Sequence, residues 1–187
     1  ECNFSYRNSN FKKLKNSIII TSVTFRLNNE FKPNLSYPSI NKFFSNSNTF
    51  KSIELIKLII KIRKEKLPDP SIFPNVGSFF KNIELSNEEF ELFIKKNLDA
   101  PYFKSGSVFK IPAAWLIDEC GYKGKKYKSL SMHEKQALVM INNFNNSELK
   151  FSKNINLEDV IYFSNEIKNA VKKRFNLNLD IEPELIS

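Results

Sequence analysis

The pattern of apolar and polar positions divides the chain into segments of different period. Residues 17 to 27 alternate in their second half: Thr21, Val23, Phe25 and Leu27 share one face, and Ser22, Thr24 and Arg26 share the other. A period of two predicts a strand, with Asn28-Asn29 as the turn after it. Residues 30 to 50 are rich in Asn, Ser and Pro, carry little periodicity and read as a connection. From 51 to 65 the period becomes helical, with Leu55, Ile56, Ile59, Ile60 and Ile62 as the apolar face. Lys66-Leu67-Pro68-Asp69-Pro70 ends that helix, because Pro68 disfavours helical geometry at Leu67 and supplies no backbone donor. This is the best candidate for a domain boundary.

Beyond it, Ser86 followed by Glu89 has capping-box spacing, and Phe90, Phe93 and Ile94 give the helix it opens an apolar face. Residues 100 to 106 read as a loop and Val108 to Ile111 as a short strand. Pro112 suits a first helical position for Ala113 to Cys120, which Gly121 stops. Gln136 to Asn142 is a compact apolar strand. Asn156 can cap a long helix from Leu157 to Phe175, striped by Val160, Phe163, Ile167 and Val171. Leu177 to Ile181 alternates as a closing strand. Strands and helices mix without a regular βαβ rhythm, which predicts an α+β fold.

Composition narrows the function classes. The 187 residues are 41% hydrophobic and 26% charged, a globular balance. The most apolar stretch, Ile53 to Ile62, is broken by Glu54, Lys57 and Lys61, so no membrane span is expected. Two distant cysteines, Cys2 and Cys120, make no disulfide framework and point to a reducing cytoplasm. With one histidine and no Cys/His cluster of zinc spacing, no metal site is expected. The net charge of +9 has two readings. One is an anionic partner, either nucleic acid or a phosphorylated ligand. The other is drift in an AT-rich coding sequence, since 25 of the 29 basic residues are Lys. Only four are Arg, the residue that DNA-reading surfaces prefer.

The residues offer few sites by themselves. The four glycines form neither a Walker loop nor a dinucleotide fingerprint, so no cofactor phosphate cradle lies here. Ser78, between Gly77 and Phe79-Phe80, could present a hydroxyl to a cleft or simply serve a turn. Without a G-x-S-x-G elbow it is not a hydrolytic nucleophile. Arg7, among small polar residues, could clamp a carboxylate or stand solvated. Glu182-Pro183-Glu184 puts two carboxylates after the last strand, where such residues are usually solvated, and His133 reads as a surface or packing residue rather than a catalytic one. Trp115 and the phenylalanines fall on helical stripes, as core rather than as a base-stacking platform.

Read together and in order, these stretches become specific. Glu1-Cys2-x-Phe-x-Tyr6-Arg7-x-Ser9-x-Phe11-Lys12 comes first, then Lys66-Leu67-Pro68-Asp69-Pro70 with Gly77-Ser78-Phe79-Phe80-Lys81-Asn82. Ala113-Ala114-Trp115-Leu116-Ile117-Asp118, His133-x-x-Gln136-Ala137-Leu138-Val139 and Glu182-Pro183-Glu184 complete the series. Over nearly its whole length the chain resembles the C-terminal half of the UDP-N-acetylenolpyruvoylglucosamine reductases, in the longer form whose substrate-covering loop matches Leu35-Ser36-Tyr37. In place of that loop's usual glycine the chain has Pro38.

The resemblance implies a cytoplasmic flavoenzyme of peptidoglycan precursor synthesis, in which NADPH reduces FAD and the reduced flavin reduces the enolpyruvyl ether of a UDP-sugar. It implies that residues 1–67 finish an FAD-binding domain and residues 68–187 form an α+β substrate-binding domain. By the same resemblance Arg7 faces the substrate carboxylate. Ser78 protonates carbon, and Glu184, protonated when it acts, is a second donor. Tyr37, Lys66, Asn82 and Gln136 hold the UDP-sugar. Since the first residue is Glu1 rather than Met, the chain is expected to be a fragment that relies on an upstream flavin domain of the same protein. Two alternatives stand beside this: a non-catalytic remnant without its flavin half, and a basic nucleic-acid binder.

Overall fold

The computed structural model describes residues 2–14, 17–35, 37–44, 51–143 and 155–185. Glu1 and Ser36, both in the quoted motifs, lie outside the described residues. The chain divides into two compact units, Glu1–Glu65 and Lys66–Ser187.

The first unit holds a turn bridged between Ser5 and Asn8, a short 3-10 helix, Asn10–Leu14, and two α-helices, α1 (Pro38–Phe44) and α2 (Ser52–Lys66). Helix α2 matches the helical period of the sequence and ends at the division between the units. Its buried residue is Leu58, flanked by half-buried Leu55 and Ile62, whereas Ile56, Ile59 and Ile60, expected on the apolar face, are exposed. Helix α1 lies in the segment read as a connection; Pro38, with its fixed φ, stands at the first helical position, where proline is favoured.

Residues 17–27, expected as a strand, form none. Ile19, Val23, Phe25 and Leu27 are 90%, 65%, 76% and 81% exposed. The alternation is there, but a strand exists by hydrogen bonding to a second backbone. Among the described residues this segment takes part in no strand pairing or bridge.

The second unit has the expected α+β character. One antiparallel sheet runs β1 (Asn75–Ser78), β7 (Val139–Asn142), β6 (Leu130–Met132), β5 (Lys126–Tyr127) across its width. The other runs β2 (Ile83–Leu85), β4 (Val108–Ile111), β3 (Phe103–Ser105). Among the described residues three helices accompany them: α3 (Asn87–Ile94), α4 (Ala113–Glu119) and α5 (Leu157–Phe175).

The helix ends follow local chemistry. Ser86 and Glu89 make the expected capping box at α3. Asn156 caps α5 as expected, and Asp159 completes a second box there. Lys172, Lys173 and Arg174 lie in the last turn of α5, where positive charge suits the helix dipole, and Asn176 closes it with a left-handed φ of 58°. Phe163, Ile167 and Val171 on α5 are fully buried with Phe80, Ile111, Leu116, Ile117, Met132 and Leu179. This is the core against which the site-bearing strands are held.

Three boundaries differ from the sequence reading. The loop at 100–106 contains β3, which pairs with β4. The strand expected from Gln136 begins at Val139, because Gln136 is spent in the turn that precedes it. The closing strand at 177–181 reduces to one bridge, between Ile181 and Phe80.

Candidate functional site

The centre of the site is the short run from Ser78 to Asn82, which other chain segments bond on both sides. Ser78 ends β1 opposite Val139, and the Phe79 N–H donates to the Leu138 carbonyl at 2.8 Å. On the other side, Phe80 bridges Ile181, the Lys81 N–H donates to the Asp180 carbonyl at 2.9 Å, and the Glu182 N–H donates to the Phe79 carbonyl at 2.9 Å. Phe79 and Phe80 are buried and pack edge to face, which anchors the run in the core while Ser78 remains half-buried.

This arrangement gathers three regions far apart in sequence. Gln136 precedes the Leu138–Val139 edge, and its carbonyl accepts the Val139 N–H at 3.0 Å; the residue is half-buried. Glu184 follows Glu182 by two residues and is exposed. Asn82 closes the run, half-buried, with its Oδ1 accepting the N–H of Ala113 at 3.0 Å. The last contact is structural. Pro112, the N-cap of α4, has no side chain able to cap, so a residue 31 positions away supplies the acceptor for the first turn. The tie sets α4 against the end of the site run.

Lys66 is exposed at the end of α2. Between it and β1, the Asp69 carboxylate accepts the Ser71 N–H at 2.9 Å and the Ser71 hydroxyl at 2.7 Å, and its carbonyl accepts from Ile72 and Phe73. Asp69 in the Leu-Pro-Asp-Pro motif therefore organises a turn. The two remaining candidates lie in the first unit. Arg7, exposed, has a left-handed φ of 52° in the Ser5–Asn8 turn, with its guanidinium 5.9 Å from the Tyr6 ring centre. Tyr37 is 64% exposed, and its carbonyl accepts from Ile40 and Asn41 at the start of α1.

His133 stands in the turn between β6 and β7. Its N–H donates to the Val139 carbonyl at 2.8 Å and its Nδ1 accepts from Lys135 N–H at 3.4 Å. Burial pushes its pKa below the usual imidazole value, with Lys135 adding to the effect. These contacts hold the Gln136 turn, in keeping with a packing role.

One residue that the sequence analysis did not single out is Asn75. Its Nδ2 donates to the Phe73 carbonyl at 2.8 Å and its Oδ1 accepts the Gly77 N–H at 2.9 Å. The signal available was Asn-x-Gly immediately before Ser78.

Among the described residues no three His, Cys, Asp or Glu side chains group as a metal site. No described helix is long and apolar enough to cross a membrane. A cavity of about 390 Å³ opens elsewhere, beside Trp115, Phe175 and the Arg174–Glu119 ion pair, and includes none of the residues above.

Residues 69–186 match the family model described as UDP-N-acetylenolpyruvoylglucosamine reductase, C-terminal domain. Curated proteins named UDP-N-acetylenolpyruvoylglucosamine reductase are similar over nearly the whole chain. That of Polynucleobacter asymbioticus is 32% identical over 99% of this chain and 51% of its own length. That of Aliivibrio fischeri is 36% identical over 97% of this chain and 49% of its own length. That of Bacteroides fragilis is 36% identical over 99% and 53%. The chain thus spans about half the length of the curated relatives it matches.

Proposed function

The chain belongs to the UDP-N-acetylenolpyruvoylglucosamine reductase C-terminal domain family, and from that premise we propose that it forms the substrate-handling part of such a reductase. The reaction is the NADPH-driven, FAD-dependent reduction of UDP-N-acetylglucosamine enolpyruvate to UDP-N-acetylmuramate in peptidoglycan precursor synthesis. The hydride chemistry belongs to the cofactors.

The residues present do not fit a flavin cradle. Gly77, Gly106, Gly121 and Gly124 stand at separate left-handed turn positions. Their spacing forms no glycine-rich run of the kind that cradles a cofactor phosphate. The cofactor site is therefore assigned to the part of the relatives that this chain does not span, and residues 1–67 to the end of that flavin domain.

What this chain offers is a set of polar groups for the sugar half of the reaction. Reduction of an enol ether conjugated to a carboxylate builds negative charge into an enolate-like species, and preorganised donors stabilise it most. Ser78 donates the proton that completes the reduced carbon. Serine is a weak acid, so it requires a charged neighbour or an ordered proton path. Glu184, exposed in this chain, is the second donor. Arg7 faces the substrate carboxylate. Gln136 and Asn82 hold the sugar nucleotide, and the Oδ1 of Asn82 also serves α4. Lys66 meets the diphosphate as a point charge, and Tyr37 covers the substrate. The roles of Arg7, Tyr37 and Lys66 rest on the family resemblance.

The observation that supports this reading best is the bonding of the Ser78–Lys81 run to the Leu138–Val139 edge that follows Gln136 on one side and to the Asp180–Glu182 segment that precedes Glu184 on the other. The test uses the full coding region with FAD bound. Ser78→Ala should leave flavin reduction by NADPH nearly intact and slow the sugar half-reaction by at least ~100-fold, the lower range for general acid catalysis. Equal loss in both half-reactions would show damage to the fold instead. A full-length protein with no sugar-dependent NADPH consumption would favour the remnant alternative.

A further inference from the structure

We propose that Asn75 is the positioning residue of Ser78, acting through a glycine bulge in β1; this rests on the reading of Ser78 as proton donor. The register of β1 is the first observation. Asn75 lies opposite Ile141 and Ser78 opposite Val139, so three steps along β1 match two along β7. One extra residue sits in β1, which is a β-bulge. In a regular strand, residues three apart point to opposite faces, and a slip of one residue reverses a side chain. The bulge therefore turns Ser78 onto the face that Asn75 occupies.

The second observation is what holds the bulge. Gly77 within it has a φ of 77°, and a Cβ there would meet no atom within 4 Å. The glycine is thus required by its backbone angle rather than by crowding. Asn75 spans the bulge with both ends of its amide, accepting from the Gly77 N–H at 2.9 Å and donating to the Phe73 carbonyl at 2.8 Å. Downstream, Phe79 is pinned to Leu138 and to Glu182. Ser78 is held between a side-chain clamp before it and a backbone clamp after it. Loss of the first clamp lets Gly77 return to other conformations, and a displacement of about 1 Å at a reacting group can cost ~100-fold.

The experiment uses the full-length flavin-loaded protein in five forms: wild type, Asn75→Ala, Asn75→Asp, Ser78→Ala and the Asn75→Ala/Ser78→Ala double variant. Amide hydrogen exchange at Gly77 is measured beside the two half-reactions. Asn75→Ala should speed Gly77 exchange at least ~10-fold, slow the sugar half-reaction by ~10- to 100-fold, and leave flavin reduction by NADPH within about twofold. Asn75→Asp, which keeps the acceptor for Gly77, should recover most of that rate. In the double variant the loss should equal that of Ser78→Ala alone, because Asn75 acts only through Ser78. Additive losses, equal falls in both half-reactions or unchanged Gly77 exchange would each overturn the positioning role. If Ser78→Ala keeps full sugar-dependent turnover, the proton-donor reading fails and the positioning role fails with it. Faster Gly77 exchange in Asn75→Ala would then still show that the clamp exists, which separates the two failures.

Discussion

Asn82 is expected to serve two masters, and a pair of substitutions separates them. Its Oδ1 accepts the N–H of Ala113, a residue with no solvent exposure, at the start of a helix whose N-cap is a proline. Asn82→Ala removes that acceptor, and water cannot reach the N–H to replace it. An unsatisfied buried donor costs about 1–3 kcal/mol, and a lost cap costs about 1 kcal/mol in typical hosts. Both figures describe the same hydrogen bond, so the expected destabilisation is about 2 kcal/mol. With a urea m-value of about 2 kcal/mol/M the midpoint should fall by about 1 M. Asn82→Asp keeps an oxygen acceptor and adds negative charge at a helix N-terminus, which is favourable. Its midpoint should stay within about 0.3 M of wild type. The same Asp variant turns the amide assigned to the sugar nucleotide into a carboxylate that faces an anionic ligand, so its KM for the UDP-sugar in the full-length enzyme should rise ~10-fold or more. The reasoning fails if Asn82→Ala unfolds with the wild-type midpoint, or if Asn82→Asp is destabilised as much as Asn82→Ala.

Further consequences follow from the second unit. Phe163→Ala, at a fully buried position on α5, should cost about 3–5 kcal/mol and leave little of a typical domain's stability, whereas Ile167→Val should cost about 1 kcal/mol by urea denaturation. Ser86→Ala breaks the capping box of α3 and should cost about 1 kcal/mol. Lys128 pairs with Asp159 although its φ is 52°; Lys128→Gly and Lys128→Ala both lose the pair, but glycine relieves the backbone, so the Gly variant should melt ~3 °C higher than the Ala variant. The hydrogen bond from Lys128 holds the Asp159 carboxyl below its ordinary value of 3.8. A depressed carboxylate stabilises the fold above its unfolded pKa and loses that contribution as pH falls through the folded one. The stability gap between wild type and Asp159→Asn should therefore be wide at pH 7 and narrow progressively below about pH 4, as read from urea midpoints.

The bonds between distant segments explain why part of the site was hidden in the sequence. Ser78 and Glu184 were legible as separate polar positions, and Gln136 only through the family resemblance that their order carried. Nothing local joins them: the joining is done by backbone hydrogen bonds from Phe79 and Lys81 to residues some sixty and a hundred positions later. Asn82 was legible as a ligand-binding candidate but not as the cap of α4, since a side chain's partner across 31 residues leaves no periodic trace. Asn75 was not legible as a site residue, because a bulge is a relation between two strands and appears only when both are in place.

What the amino-acid order determined by itself was whatever depends on neighbours along the chain. The capping box of Ser86 and Glu89, the Asn156 cap and the buried stripe of α5 all follow from contacts within four residues, which sequence spacing encodes directly. Tertiary structure decided the rest. The alternating segment at 17–27 forms no strand among the described residues, and the alternating segment at 177–181 keeps one bridge. A strand is satisfied by another backbone, and alternation specifies which face would be buried but not whether a partner is there. Helix α2 shows the same limit: its period is legible, but only packing chose Leu58 over Ile56, Ile59 and Ile60 as the side that is covered.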